Sequence, residues 1–319
     1  MANKMIDFDN INYCGQEAQE IFSKDIYTLD INGYGITLMD NVKGKTKLYT
    51  GEIGSVWQEY TCPFTPDGNV ALAEQFIEPV AIKVNLEECY DAFWPTYLVE
   101  QTKINLDGGI PQTFFEWFFN NKLRAEMAKE YQEIFWKGDT GNTELADYLQ
   151  VTDGVEAVIT AETGATDVSG DTFTVDNIVE QVEGVIAAGL ETMAEENISG
   201  DDFKVFMNKN DVRLLKIALG KDCTCNLSTS IFRNYALEGD RVYIMGFEVI
   251  PTEQDKNFIL FGPAKNLILG YDTFDSHLEY RILDMKENTG DNMFRVIAIS
   301  NIAVGVVYPE LFSYMDARA

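Results

Sequence analysis

Few residues in this 319-residue chain are equipped for acid–base or nucleophilic chemistry, and their spacing assembles no site. The single histidine, His277, lies in Asp275-Ser276-His277. A histidine-based triad would have to be built on it, yet no G-x-S-x-G elbow is present to supply the nucleophile. Cys223-Thr224-Cys225 offers two thiols for half of a metal shell, but one histidine and no second close cysteine pair leave a four-ligand zinc site incomplete. The five cysteines (Cys14, Cys62, Cys89, Cys223, Cys225) are odd in number and scattered, which argues for free thiols rather than a disulfide framework. Gly33-Tyr34-Gly35 lacks the third glycine of a dinucleotide fingerprint, and no phosphate-cradling G-x-x-x-x-G-K-[ST] occurs. Paired carboxylates abound, but 52 Asp and Glu make them expected by chance. The expectation is a chain that is not an enzyme and uses no cofactor or metal.

Composition bounds the alternatives. A hydrophobic fraction of 46% and an aromatic fraction of 12% belong to a folded globular protein long enough for more than one compact unit. No apolar run is long enough to span a bilayer, and the first twenty residues have neither a basic nor an apolar signal region, so folding in a cytosol is expected. The net charge of −28 excludes a basic footprint for tight nucleic-acid binding. The charge is uneven: from Gly138 to Phe203 there is no Lys or Arg, while sixteen Asp and Glu occur, more than half of the net charge. That stretch reads equally as a solvated surface or as a face that must not stick to nucleic acid or to like copies.

Any site would be positioned by the following elements. Residues 1–37 show no clear period and read as an arm. A two-stranded excursion follows, with an outgoing strand through Gly44–Tyr60, a tip near Thr65-Pro66-Asp67-Gly68 and a return through Phe76–Ile82. Pro79 in the return is tolerated at a sheet edge. Pro111–Phe135 is the strongest helix, with Phe114, Phe115, Phe118, Leu123, Met127, Tyr131 and Phe135 at helical spacings; it stops in Trp136-Lys137-Gly138-Asp139, where Gly138 is expected to take a left-handed cap. Asp176–Asn197 reads as a second helix with Asp176 as N-cap, Lys204–Met207 as a strand, and Asp211–Leu219 as a helix ending at Gly220. Strands at Val242–Pro251 and Asn257–Phe261 precede Leu267–Tyr271, and Thr160–Thr172 reads as a join between the long-helix region and this mixed part. At the C-terminal end, Glu279–Glu287 and Met293–Tyr308 flank the turn cluster Asn288-Thr289-Gly290-Asp291-Asn292 and read as a hairpin.

Taken in order, these parts resemble the major capsid protein of tailed bacteriophages, the HK-ninety-seven-like fold. The resemblance spans nearly the whole chain. Its most specific pieces are Phe135-Trp136-Lys137-Gly138-Asp139, the block from Asp291-Asn292-Met293 through Tyr308-Pro309, and the strand pair Gly246–Ile250 with Phe258–Phe261, followed by Asn266-Leu267 and Gly270. It implies an α+β fold with an N-terminal arm (1–37), an extended-loop hairpin or E-loop (38–82), a peripheral domain (83–175 and 279–304) with a spine helix at about 111–136, and an axial domain (176–278 and 305–319). It implies inter-subunit contacts through Lys45, Glu52, Trp57 and Phe64 of the E-loop and through Lys122, Arg124, Glu287 and Asn292 of the peripheral domain.

The resemblance further implies a virion subunit that self-assembles in a bacterial host cytoplasm. Pentamers and hexamers would form an icosahedral shell around double-stranded DNA, which the subunit encloses without sequence-specific binding and without a membrane. A portal and a separate scaffolding protein are expected partners, since no coiled-coil segment is fused at the N-terminus; decoration proteins are left open. Some relatives weld neighbours by an isopeptide bond between an E-loop lysine and a peripheral-domain asparagine, promoted by a glutamate. Asn292, followed by Met293, matches the asparagine, but Ile299 stands at the glutamate position and no lysine lies between Lys47 and Lys83. A shell without cross-links is therefore expected. The alternatives are an encapsulin-type compartment enclosing cargo enzymes and, from another class, a soluble acidic enzyme using Cys223 or Cys225; a tail-tube protein is disfavoured by the long helix.

Overall fold

In the computed structural model, residues 13–14, 34–40, 42–53, 57, 70–106, 114–118, 123–161, 164–196, 198, 200, 202–225, 235–238, 241–272 and 281–318 are described. The strands are β1 (Tyr13–Cys14), β2 (Thr37–Met39), β3 (Thr46–Ile53), β4 (Val70–Ile77), β5 (Val80–Cys89), β6 (Thr166–Asp167), β7 (Phe203–Asn208) and β8 (Tyr235–Glu238), then β9 (Arg241–Ile244), β10 (Phe247–Thr252), β11 (Phe258–Pro263), β12 (Leu267–Asp272), β13 (Arg281–Asp284), β14 (Met293–Val306) and β15 (Ser313–Asp316). The helices are α1 (Tyr90–Leu106), α2 (Phe114–Phe118), α3 (Arg124–Lys137), α4 (Val155–Ala161), α5 (Ile178–Glu196), α6 (Lys209–Cys225) and α7 (Met285–Asn288). This is an α+β chain. It divides into two compact units, one drawn from Met1–Asp30, Ala81–Gln132 and Tyr271–Ile302, the other from Ile31–Val80, Glu133–Gly270 and Ala303–Ala319; β5, α3, β12 and β14 contribute residues to both.

The first unit is organised by strand alternation. In β14, Phe294, Val296 and Ala298 are buried while Arg295 between them is exposed, the period-two pattern of a sheet with one covered face. The covering layer is aromatic: Tyr97, Phe114, Phe115, Trp117 and Phe118 pack with Phe294, and Tyr90, Phe93 and Trp94 adjoin them. Phe294 lies 4.9 Å from Phe118, 5.2 Å from Tyr90 and 5.5 Å from Phe114 between ring centroids, in tilted or edge-on geometries that suit the ring quadrupoles. On the other face Arg295 pairs with Glu87 of β5. The C-terminal hairpin is present, with β13 antiparallel to β14 from Arg281↔Ile297 to Asp284↔Phe294. Its first strand is shorter than the sequence suggests: the Asp284 carboxylate accepts from the Lys286 N–H at 2.8 Å and starts the helical turn α7, and Gly290 then takes φ +82°.

The second unit holds a seven-stranded sheet of order β6-β15-β11-β7-β10-β9-β8. Strand β7 shows why it has two layers of neighbours. Phe203, Val205 and Met207 join Ile178, Val182, Val185, Ile186, Val212 and Leu215 of α5 and α6 in one core, whereas Phe206 turns the other way and packs on Trp136 of α3 at 5.4 Å. The predicted single strand Val242–Pro251 is two, β9 and β10, joined by Met245 (φ 52°) and Gly246 (φ 90°), the doubly left-handed turn that suits the strand twist. Helix α6 runs past Gly220 to Cys225, because a solvent-facing glycine costs a helix only about 1 kcal/mol. Helix α5 starts at Ile178, within the predicted range.

Several further expectations are corrected. The long helix is described as α2 and α3, with residues 119–122 outside the described set. It stops at Lys137 as expected, but Gly138 is not left-handed. Its role is close approach: a Cβ there would sit 2.2 Å from the Thr152 carbonyl oxygen, and the Gly154 N–H donates to the Gly138 carbonyl at 2.7 Å. The return strand breaks at Glu78-Pro79, where proline has no N–H for the ladder, so β4 ends at Ile77 and β5 begins at Val80. Thr160–Thr172 is not a simple join, since Thr166–Asp167 pair with β15 as the sheet's edge.

The alternation in β14 sets an ordered pair of expectations. Phe294→Ala should cost about 3–5 kcal/mol, and Arg295→Ala no more than about 1 kcal/mol, measured by urea unfolding. Equal costs would contradict a core built on that face.

Candidate functional site

Of the residues expected in an E-loop, Glu52 lies in β3 of the β3–β4 hairpin and Lys45 directly before it. All eight residues of β3 pair antiparallel with β4, from Thr46↔Ile77 to Ile53↔Val70. Lys45 pairs with Glu78 at 3.5 Å and lies 4.7 Å over the Phe76 ring, and Lys47 pairs with Glu74 at 2.7 Å. Glu52 lies in β3 opposite Ala71, Trp57 is 92% exposed, and Phe64 and the predicted tip at 65–68 lie outside the described residues. The hairpin is anchored at its base and meets the chain again at Gly51, whose N–H donates to the Tyr308 hydroxyl at 3.3 Å. Ile77 is buried with Val42, Ile268 and Ala303, and a Cβ on Gly305 would come within 2.7 Å of the Ile77 Cδ1. The hairpin is thus a two-stranded ribbon held at its base and at Gly51, a form that is marginal in water unless it rests on a further surface.

Of the residues expected in a peripheral domain, Asn292 and Glu287 lie at the hairpin turn. Asn292 precedes β14; its side-chain N–H donates to Asp91 Oδ1 at 2.9 Å, and its carbonyl accepts from the Tyr90 N–H at 3.2 Å and the Cys89 thiol at 3.3 Å. Asn292 therefore fastens the turn to the first turn of α1. Burial, reinforced by Asp284, pushes the Tyr90 hydroxyl well above its ordinary pKa, so it stays protonated. Arg124 opens α3 and Glu287 lies in α7, while Lys122 is outside the described residues. The structure thus brings Asn292 onto Asp91 and Lys45 onto Glu78, while Glu52, Arg124 and Glu287 are placed only by their elements.

A charged cluster in the second unit was not anticipated. Glu156, in the first turn of α4, is 1% exposed; its Oε1 accepts from the Asp255 N–H at 2.7 Å and its Oε2 from Arg318 Nη1 at 2.6 Å. Arg318 also bonds Asp316 through Nε and Nη2, reaches Asp255 at 3.2 Å, and lies 5.0 Å over the Phe258 ring. Lys137 adds contacts to Asp255 at 3.7 Å and Glu133 at 3.9 Å. Burial and then the Asp255 charge push the Glu156 carboxyl up to about 8, against the pull of Arg318. Burial would also raise Asp316, but its hydrogen bonds from Arg318 hold it below the usual carboxylate range, and Arg318 is held firmly protonated. Partners 99 and 162 residues apart leave no sequence signal for this cluster.

Beside the cluster lies a recess of about 610 Å³. Lys137, Lys209, Arg213, Lys256 and Arg318 line it against three acids, Glu133, Glu253 and Asp255, with asparagines 208, 210 and 257 between them. Among the described residues, no group of three or more His, Cys, Asp or Glu is placed to hold a metal, and no helix is long and apolar enough to cross a membrane. His277 lies outside the described residues.

No protein-family model matches the chain, and no curated protein matches it. Solved structures do. A chain of the satellite phage P4 procapsid, from a structure that includes the size determination (Sid) protein, superposes with a TM-score of 0.59 at 12% identity, covering 94% of this chain and 98% of that one. A Gordonia phage Cozz chain gives 0.56 at 14% identity, covering 91% and 87%, and a chain of the Myoviridae phage XM1 capsid gives 0.52 at 11%, covering 95% and 92%. The chain has the phage capsid fold. At such identities the likeness is one of fold, and the capsid fold here extends over both compact units.

The buried carboxyl predicts a pH dependence. Glu156 ionises near 4.5 when free and near 8 in the fold, so the folded state binds its proton more tightly. Its contribution is full below about pH 4.5 and is lost as pH rises through about 8, with a slope of up to about 1.4 kcal/mol per pH unit. Glu156→Gln should flatten urea stability between pH 5 and 8 relative to the native chain; an unchanged slope would contradict the assignment.

Proposed function

We propose that this chain is the major capsid protein of a tailed double-stranded DNA bacteriophage, a structural subunit that self-assembles into the icosahedral head. The observation that carries the reading is the likeness in fold, over 94% of this chain and 98% of the other, to a procapsid chain. In this reading the layout is HK-ninety-seven-like: β3–β4 is the E-loop, residues 83–175 and 279–304 form the peripheral domain, and residues 176–278 and 305–319 form the axial domain. Trp57, exposed in the single chain, and the outer faces of the β3–β4 hairpin gain partners from neighbouring copies, as a closed shell requires. The net charge of −28 suits a wall that encloses a polyanion without binding it. Copies assemble as pentamers and hexamers in the host cytoplasm, with a separate scaffolding protein and a portal.

The shell is held without covalent cross-links. Ile299 stands where a promoting glutamate would, the stretch between Lys47 and Lys83 has no lysine, and the Asn292 amide is engaged by Asp91. Subunits are sealed instead by packing and by sheet hydrogen bonds.

Mature particles, boiled in detergent and run on a denaturing gel, should give one band near 36.0 kDa; a ladder of multimers would contradict the absence of cross-links. Electron microscopy of the same particles with nuclease treatment should find protected DNA and a portal vertex. Shells holding enzymes in place of DNA would replace the phage reading with a cargo compartment, and a stable, active monomer would replace both with an acidic enzyme.

A further inference from the structure

Positive charge is scarce in this chain, with 24 Lys and Arg against 52 Asp and Glu, yet five cations face three acids around one recess. Three of the five are spoken for: Lys137 and Arg318 by the Glu156 cluster, and Lys209 by Glu253. The other two are not. Arg213 bonds the Asn210 side-chain oxygen at 3.3 Å, and neither it nor Lys256 has a carboxylate at ion-pair distance among the described residues. Both are exposed. The recess, at about 610 Å³, has room for several side chains, so Arg213 and Lys256, neither in an ion pair among the described residues and Lys256 eased only by the Asp211 carboxylate, border a space that an extended segment can enter.

We propose that this recess docks an acidic segment of a second copy of the chain, drawn from the cation-free stretch Gly138–Phe203. Glu144, Asp147, Asp171 and Glu180 in that stretch are exposed and make no ion pair among the described residues. Two copies at −28 repel at long range, so whatever attracts them must be local and oppositely charged. The recess and the acidic stretch are different patches of one surface. Their pairing is head-to-tail, the contact type that closes into rings. The ring rests on the shell reading above; the charge pairing does not.

The test uses labelled hexaglutamate and the full-length chain, with binding followed by fluorescence anisotropy. The peptide should bind the native chain at low salt and release at high salt; its affinity should fall by about tenfold or more in Arg213→Glu/Lys256→Glu and recover in Arg213→Lys/Lys256→Arg. Circular dichroism melts should be the same for all three chains. Equal binding by the charge-reversed chain overturns the proposal, and so does a short oligonucleotide that binds the recess more tightly than the peptide. Assembly, assayed in parallel, separates the two claims. If the native chain forms shells and the charge-reversed chain forms them equally well, the docking is wrong and the shell reading stands; if the native chain forms none but binds the peptide through Arg213 and Lys256, the docking stands and the shell reading fails.

Discussion

The seven-stranded sheet is closed by the last strand of the chain. β15 lies between β6, with which it is parallel, and β11, with which it is antiparallel from Phe258↔Asp316 to Phe261↔Ser313. Residues in and beside that short strand are committed to the core. The Ser313 hydroxyl, fully buried, donates to the Val185 carbonyl of α5 at 2.9 Å; Met315 joins the core beneath α5 and α6; and Phe312 fills the space over Gly262, where a Cβ would come within 2.2 Å of its ring. Arg318 then ties the end to Glu156 and Asp255. Without these residues β11 would present a bare, fully apolar edge and β6 would have no partner.

That constraint bears on how such a chain would become a shell subunit. The second unit is closed only when Ser313–Asp316 pair with β11 and β6, and the same unit holds the anchored base of the β3–β4 hairpin through Ile77 and Gly305. A large negative net charge also opposes casual association of copies.

What the sequence disclosed follows from which forces are local. The turn cluster at Asn288–Asn292 and the aromatic spacing through Phe114–Phe135 are short-range signals, and the hairpin and the helical segments stand close to where those signals put them. Helix α1 was not foreseen, for a physical reason: Pro95 interrupts it, and Phe93, Trp94, Tyr97, Leu98 and Val99 spread apolar surface around it, with Tyr97 buried and Val99 exposed, so no single face stands out. Gly138 reads locally as a cap but serves a close approach to Thr152 and Gly154, which only the folded chain reveals. The ion cluster and the recess are wholly non-local. Glu156, Asp255 and Arg318 carry no pattern that distinguishes them from other charges in an acidic chain.

Hydrogen exchange on a chain ending at Phe312 tests the closure most directly. With Ser313–Ala319 removed, the amides of β11 and β7 and of the facing helix α5 should lose most of the protection they have in the full-length chain, while those of β14 before Ala303 and of α1 keep theirs. Undiminished protection across β11 and β7 in the shortened chain would contradict a fold closed by its final strand.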